Sequence, residues 1–446
     1  MFPNPQDALP LPPRPSLDQF RKLAKDLLKA CKSGDPDAIG ASADRWIGSL
    51  ARAGGPRAAL ADRPTRDRRA AQVEDFATRK LKAAGSTPRL ADAQFVIARS
   101  EGFESWTTFV AHLDRLAHAG SEVAAFEAAA DAIVSGDEVA LRRMIGADPA
   151  LVRARSAREH RATVLHYVSA NGVETYRQVT PPNIVTIAEI LLDAGAEVDA
   201  EADVYGGGST ALGLTATSAH PRAAGLQLPL LQLLLDHGAL MEKPNLAGNG
   251  QGAVMASLGN GCPEAAEFLA DHGARLGIVE AAGIGRLDVV KSFFDAGGAP
   301  RPGLTAKTIH DAFRHACFYG RVDVVDFLVE RGVDLAGHSG DGQTGLHCAG
   351  MGGKLEVVNL LLGRGAPLEA RNEDGGTVLG QTLWCAAHGG DPAVFVPIVE
   401  ALIAAGARLY REPPVNAELD TVLTRHGCPP DPSLWWYGEE PRKKRV

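Results

Sequence analysis

Apolar and polar positions divide the chain into two patterns. From Ser16, the apolar residues Leu17, Phe20, Leu23, Ala24, Leu27, Leu28 and Cys31 recur at helical intervals until Gly34. Ser16-Leu-Asp-Gln19 has capping-box spacing, so an amphipathic helix starts there. A second helix is predicted over residues 37–50. Residues 51–69 mix Gly, Pro and Arg and read as a surface connection, with helical pattern resuming near Gln72. Residues 90–99 and 105–116 complete the segment, and Phe95, Ile97, Trp106, Phe109 and Leu113 give it bulk for a small helical core.

Beyond Gly120 the pattern repeats. Gly261 to Gly273, Gly285 to Gly297, Gly320 to Gly332 and Gly353 to Gly365 each span the same twelve residues. Within them the apolar positions coincide, as in Leu287, Val289, Val290, Phe293 and Phe294 against Val322, Val324, Val325, Phe327 and Leu328. Each interval therefore reads as one amphipathic helix between two glycine stops. Gly172 to Gly195 is 23 residues, an excess of eleven that predicts an insertion between two helices.

These residues resemble ankyrin repeats, most specifically at Thr163-Val-Leu-His166 and Thr344-Gly-Leu-His347, which follow the T-P-L-H pattern without its proline. The resemblance implies an all-α solenoid of about eight helix-turn-helix units, some degenerate or with insertions, in which stacking supplies the core. The segment before the array also resembles the leader of certain bacterial ankyrin proteins, in Leu90-Ala-Asp-Ala-Gln-Phe-Val-Ile-Ala-Arg99 and Gly102-Phe-Glu-Ser-Trp106. The predicted organisation is a proline-rich extended arm over 1–15, a helical capping domain over 16–120, a repeat array over 121–412, and a C-terminal cap with a basic tail over 413–446.

Composition narrows the function classes. Glycine is 49 of 446 residues, or 11%, against a usual ~7%, and aromatics are only 6%, which suits many tight turns between small-residue helices. The formal net charge of −8 disfavours bulk attraction to nucleic acid or an anionic membrane. The basic cluster Arg63, Arg66, Arg68 and Arg69 and the tail over 441–446 read as a solvated loop and a frayed end. Trp435, Trp436 and Tyr437 are expected to fold back as a cap. Six scattered cysteines without a C-x-x-C pair fit free thiols in a reducing compartment. With no apolar targeting core near the start and no run of about 18 apolar residues, the expectation is a soluble, cytoplasmic protein.

No H-E-x-x-H, G-x-S-x-G or nucleotide-cradle motif occurs, so no metal or cofactor is expected. The glycine clusters at 205–210 and 248–252 read as finger tips. His166 and His347 read as braces between neighbouring turns. Trp384 is assigned the equivalent position in the last full unit, with steric filling as its role.

Two functional expectations follow. The ankyrin resemblance implies a protein partner held by finger residues and the last positions of the first helices, here Glu159, His160, Asn171, Tyr205, Ser209, Phe318, Tyr319, Gln343, Met351, Trp384 and His388. The alternative is an enzyme or small-molecule binder with a polar pocket over 159–227, covered by inserted loops at 173–182 and 220–227. There Glu174, Asp203, His220 or His160 would act as acid or base, and Arg161 would hold an anionic group.

Overall fold

A computed structural model describes residues 2–12, 14–52, 62–82, 87–118, 120–243, 245–246, 251–338, 340–409 and 417–428. It divides into two compact units, Met1–Ala274 and Arg275–Val446. The boundary falls in the short connection over 272–277, where a unit has lost its finger.

In the first unit, helices α1 (Leu17–Lys32), α2 (Ala38–Arg52), α3 (Arg63–Leu81), α4 (Leu90–Ser100) and α5 (Trp106–Ala117) surround one core. Ser16 and Gln19 make the expected capping box. Helix α3 begins at Arg63, earlier than the expected resumption near Gln72, because Asp62 accepts the Thr65 N–H and Pro64 suits the first turn. Its arginines solvate one face, while Arg69 turns inward to pair with Asp7 at 2.7 Å.

The proline-rich segment is not a free extended arm. Phe2, Leu9 and Leu11 are buried in the same core, and Pro5–Asp7 forms a 3-10 turn. The Leu9 N–H donates to the Ser100 carbonyl at 2.8 Å. Its apolar residues, rather than its prolines, decide where it lies.

Four helix pairs follow in this unit. They are α6 (Glu122–Ser135) with α7 (Glu138–Ala147), the 3-10 helix Val164–Ser169 with α8 (Ile184–Asp193), α9 (Ala211–Ala216) with α11 (Gln227–Asp236), and α12 (Ala253–Gly259) with α13 (Pro263–Asp271). The third pair carries a short inserted helix, α10 (Ala219–Ala223). Gly136 ends α6 with φ 78°, a left-handed conformation that glycine adopts freely.

The second unit holds four more pairs, making eight among the described residues. They are α14 (Ile278–Ile284) with α15 (Leu287–Ser292), α16 (Ala306–Tyr319) with α17 (Val322–Glu330), α18 (Gly345–Met351) with α19 (Leu355–Gly363), and α20 (Val378–Ala387) with α21 (Pro392–Ala404). A half repeat, α22 (Ala417–Arg425), adds Leu419, Val422 and Leu423 to the same core. In the shortened pair the left-handed glycine is Gly298 instead of the expected Gly297, because the chain turns through a Phe294–Pro300 bridge after α15 ends early. The expected caps Trp435, Trp436 and Tyr437 and the basic tail lie outside the described residues, as does most of the 248–252 glycine cluster.

Close stacking in this unit depends on small residues. A Cβ on Gly352 would sit 2.1 Å from the Phe318 carbonyl oxygen of the preceding pair. Gly352→Ala is therefore expected to destabilise the unit by about 1–3 kcal/mol. Gly363→Ala, whose Cβ would meet nothing within 4 Å, should show no loss in the same urea titration.

Candidate functional site

The first finger departs from a simple hairpin. Arg155 bridges to Thr163, and the Ser156 N–H donates to the Ala162 carbonyl at 2.8 Å. Between them the loop turns back toward the N-terminal helices. The Glu159 N–H donates to the Gly102 carbonyl at 3.1 Å, and the Glu159 carboxylate pairs with Arg99. Gly102 has φ +83°, and a Cβ there would lie 2.8 Å from the Ala8 Cβ and 3.4 Å from the Arg158 Cδ. The Gly102-Phe103 pair thus admits the finger, and the Arg158 guanidinium lies 5.5 Å from the Phe103 ring centre.

Arg158 is the centre of a buried charge network and is only 1% exposed. Its Nη1 donates to Glu127 Oε1 at 2.6 Å and lies 3.0 Å from Glu174 Oε1. Arg177 Nη1 lies 2.8 Å from Glu127 Oε2, while its Nε and Nη2 donate to Asp131 Oδ1 at 2.9 and 2.7 Å. Glu127 and Asp131 come from α6, Arg158 from the finger, and Glu174 and Arg177 from the insertion in the second repeat.

That insertion is a plug and not an open lid. Its 3-10 turn Thr175–Arg177 buries Tyr176 and Arg177, and Thr175 Oγ1 donates to the Gln6 carbonyl at 2.8 Å. Burial works to raise both carboxyl groups, but Arg158 leads the charges that outweigh it. Glu127 is held at about 2 and Glu174 well below the usual carboxylate range.

Neutral groups border the network. Burial, opposed only by Arg158, raises the Glu101 carboxyl well above its ordinary value, and neither of its oxygens has a hydrogen-bond partner. His112 packs on Phe103 with ring centres 4.7 Å apart, and burial, helped by Arg158, lowers it to about 4. His160 Nδ1 accepts from the Ala162 N–H at 3.1 Å, which directs its Nε2 toward Glu174 Oε1, 3.4 Å away.

Of the four acid-base candidates and the anion-holding Arg161, the structure brings His160 to Glu174 in the buried network and Arg161 to Asp203 at the finger tip, as two separate pairs. His160 and Glu174 are fully buried, so they hold the network together and are closed to a substrate in this conformation. Arg161 and Asp203 form an exposed finger-tip pair at 3.9 Å, and His220 is exposed on α10, without a contact to Glu174 among the described residues. The loop over 220–227 closes differently from the lid expected of it: Gln227 Nε2 donates to the carbonyls of Thr215, Ala216 and Ser218.

The expected partner-facing set also needs correction. His160 and Ser209 are fully buried, Ser209 Oγ donating to the Val204 carbonyl at 3.0 Å, and Glu159 is committed to Arg99. None of the three presents its side chain to a partner. Asn171 remains near the surface, accepting from the Tyr205 hydroxyl at 2.7 Å.

His166 and His347 brace neighbouring fingers. Each accepts a backbone N–H at Nδ1, from Thr163 at 3.0 Å and Thr344 at 3.3 Å, and directs Nε2 to a carbonyl of the next finger, Ser209 or Gly376. Burial lowers His166 to about 4. Trp384 does not occupy this position: Thr377 caps the Gly380 N–H, which makes Gly380 the counterpart.

Trp384 lies one helical turn later and is 49% exposed, so it does not fill the core. Its indole stacks on the exposed His388 ring at 4.3 Å and 21°. The corresponding ends of α16 and α18 carry Phe318 and Tyr319, in edge contact at 5.0 Å, and Met351, all half-buried. Helix α16 packs on α18, and α18 on α20, so these ends form one row, with Gln343 on the finger before α18.

A family model described as ankyrin repeats, in three copies, matches residues 278–372. The human ASB11 ankyrin repeat domain is similar at 22% identity and TM-score 0.35, covering 63% of this chain and 99% of its own. The ankyrin repeat domain of Bcl-3, a member of the IkappaB protein family, is similar at 20% identity and TM-score 0.29, covering 61% and 97%. No curated protein matches the chain. Residues 278–372 carry ankyrin repeats, and the fold of the described residues is all-α. No helix among the described residues is long and apolar enough to cross a membrane.

Proposed function

We propose that the chain binds a protein partner through the row at the ends of α16, α18 and α20. One observation carries this reading: Trp384, half exposed, rests on the exposed His388 ring, an arrangement that leaves a large apolar surface facing water. Aromatic anchors of this kind supply most of the energy at protein interfaces, and methionine adapts its shape to a partner. The half-buried Phe318, Tyr319 and Met351 extend the same surface, and Gln343 adds a polar group at its edge. Ankyrin repeats are in general modules of protein interaction, which supports the assignment. The free thiols of Cys31, Cys262, Cys317, Cys348 and Cys385 support a reducing, cytoplasmic setting.

The test compares the full-length chain with Trp384→Ala as immobilised baits in a lysate of the source organism. Proteins retained by the parent are expected to fall at least about tenfold on the variant, the scale of losing one interface anchor. The melting temperature should not change, because the side chain is exposed. Equal recovery on both baits would sink the reading.

A further inference from the structure

The buried charge network lines one wall of a cavity of about 470 Å3, within the ~300–1,000 Å3 typical of small-molecule sites. Apolar residues complete the lining, including Leu11 and Pro12 of the N-terminal segment and Leu116 of α5. The N-terminal segment is anchored just ahead of its lining residues. Leu9 is tied to Ser100, Gln6 to Thr175 and Asp7 to Arg69, so little order remains to be imposed on binding.

The hydrogen bonds on the charged wall are unevenly used. Arg177 spends its Nε and Nη2 on Asp131 and its Nη1 on Glu127. Arg158 does not: its Nη1 is committed to Glu127, but its Nη2 has only a long 3.4 Å contact to the Tyr176 hydroxyl. Its Nε is buried and has no partner. The Tyr176 hydroxyl, accepting from Arg158, keeps its own proton to donate. Arg14 also lines the cavity, exposed and without an ion pair among the described residues. Arg158 and Arg177 face three carboxylates, Glu127, Asp131 and Glu174, so the network alone carries one excess negative charge that Arg14 offsets. The donor capacity left toward the cavity is that of Arg158 Nη2, Tyr176 and Arg14.

We propose that this cavity binds a small organic anion, a carboxylate or phosphate ester with an apolar body. Its anionic group lies against Arg158, Tyr176 and Arg14, and its body lies on Leu11, Pro12 and Leu116. The site belongs to the first unit and is independent of the partner-binding row.

The experiment titrates the full-length protein with benzoate and with benzyl alcohol, its neutral counterpart, by calorimetry. Benzoate is expected to bind saturably and at least about tenfold more tightly than the alcohol, as expected for a charge-assisted contact. Arg14→Glu should weaken benzoate by about tenfold or more, with an unchanged melting temperature in the absence of benzoate, since Arg14 supports nothing else. Trp384→Ala should leave the titration as it is, which separates this site from the proposed interface. Competition by inorganic phosphate assigns the head group to phosphate; its absence assigns it to a carboxylate. No saturable benzoate binding, no preference over the alcohol, or an unaltered affinity in Arg14→Glu overturns the proposal.

Discussion

Arg158→Ala is expected to destabilise the Met1–Ala274 unit by about 3–5 kcal/mol, the range for breaking a buried ion pair by removing one partner. The reason is the fate of the acids. Glu127 would retain Arg177, but Glu174 is 0% exposed and would keep only a 3.4 Å approach to Arg177 beside His160. Arg158→Lys should recover little, because one ammonium cannot take the place of a planar group that reaches both carboxylates and lies near the Phe103 ring. Urea unfolding followed by circular dichroism measures the loss. A change below about 1 kcal/mol, typical of an exposed pair, would contradict the central role of Arg158.

The same unit is expected to lose stability in two stages as pH falls. His112 and His166 are kept neutral by burial, with folded pKa values near 4 against 6.5 in the ordinary state. Between these values the unfolded chain binds protons that the folded chain refuses. Their contribution is therefore fully present above about 6.5 and lost as pH falls toward 4. The gap corresponds to on the order of 3 kcal/mol per histidine. Glu127, held at about 2 by Arg158 and Arg177 against the opposing effect of burial, adds a second loss between 4.5 and 2. Glu101 opposes this trend: its raised carboxyl favours the folded state at low pH, and that contribution is lost as pH rises through the raised value. Urea midpoints measured from pH 7 to pH 4 should fall steeply, and less steeply in His112→Asn. A flat profile would contradict the burial of these rings.

The repeat was legible because its signals are local. A glycine after each helix, an apolar stripe within it and a Thr-x-x-His turn are all set by neighbours within a dozen residues. The same holds for Ser16 and Gln19 at the start of α1. Helix α3 was misjudged because its first turn is rich in arginine, which looks like a loop in sequence although Asp62 and Pro64 suit a helix start. The N-terminal segment departs from the extended arm that its prolines suggest because Phe2, Leu9 and Leu11 decide its burial.

The candidate site was only half legible. Glu159, His160 and Glu174 stood out as a polar cluster, yet Arg158, Arg177, Glu101, His112, Glu127 and Asp131 were missed. Arg158 meets Glu127 across 31 positions, and Arg177 meets Asp131 across 46, distances at which sequence offers no pairing rule. One signal was available: Glu127 and Asp131 lie four residues apart on the otherwise alanine-rich α6, and Glu127 falls beside the buried Phe126. The exposure of Trp384 depends on where α20 begins, and its cap at Thr377 sets Trp384 one turn beyond the position of the bracing histidines.

The hydrogen bond from Thr175 to Gln6 joins residues 169 positions apart, in a fold class built from contacts between neighbours. A linear array of repeats melts from its ends and forms unit by unit, each step depending only on the last. Here the second repeat completes its own turn against the first few residues of the chain, so the early repeats and the N-terminal helices form a loop of mutual dependence. Such closure raises contact order and slows folding. It also removes the frayed end from which an array would begin to unravel, making the N-terminal half cooperative where a simple stack would be gradual.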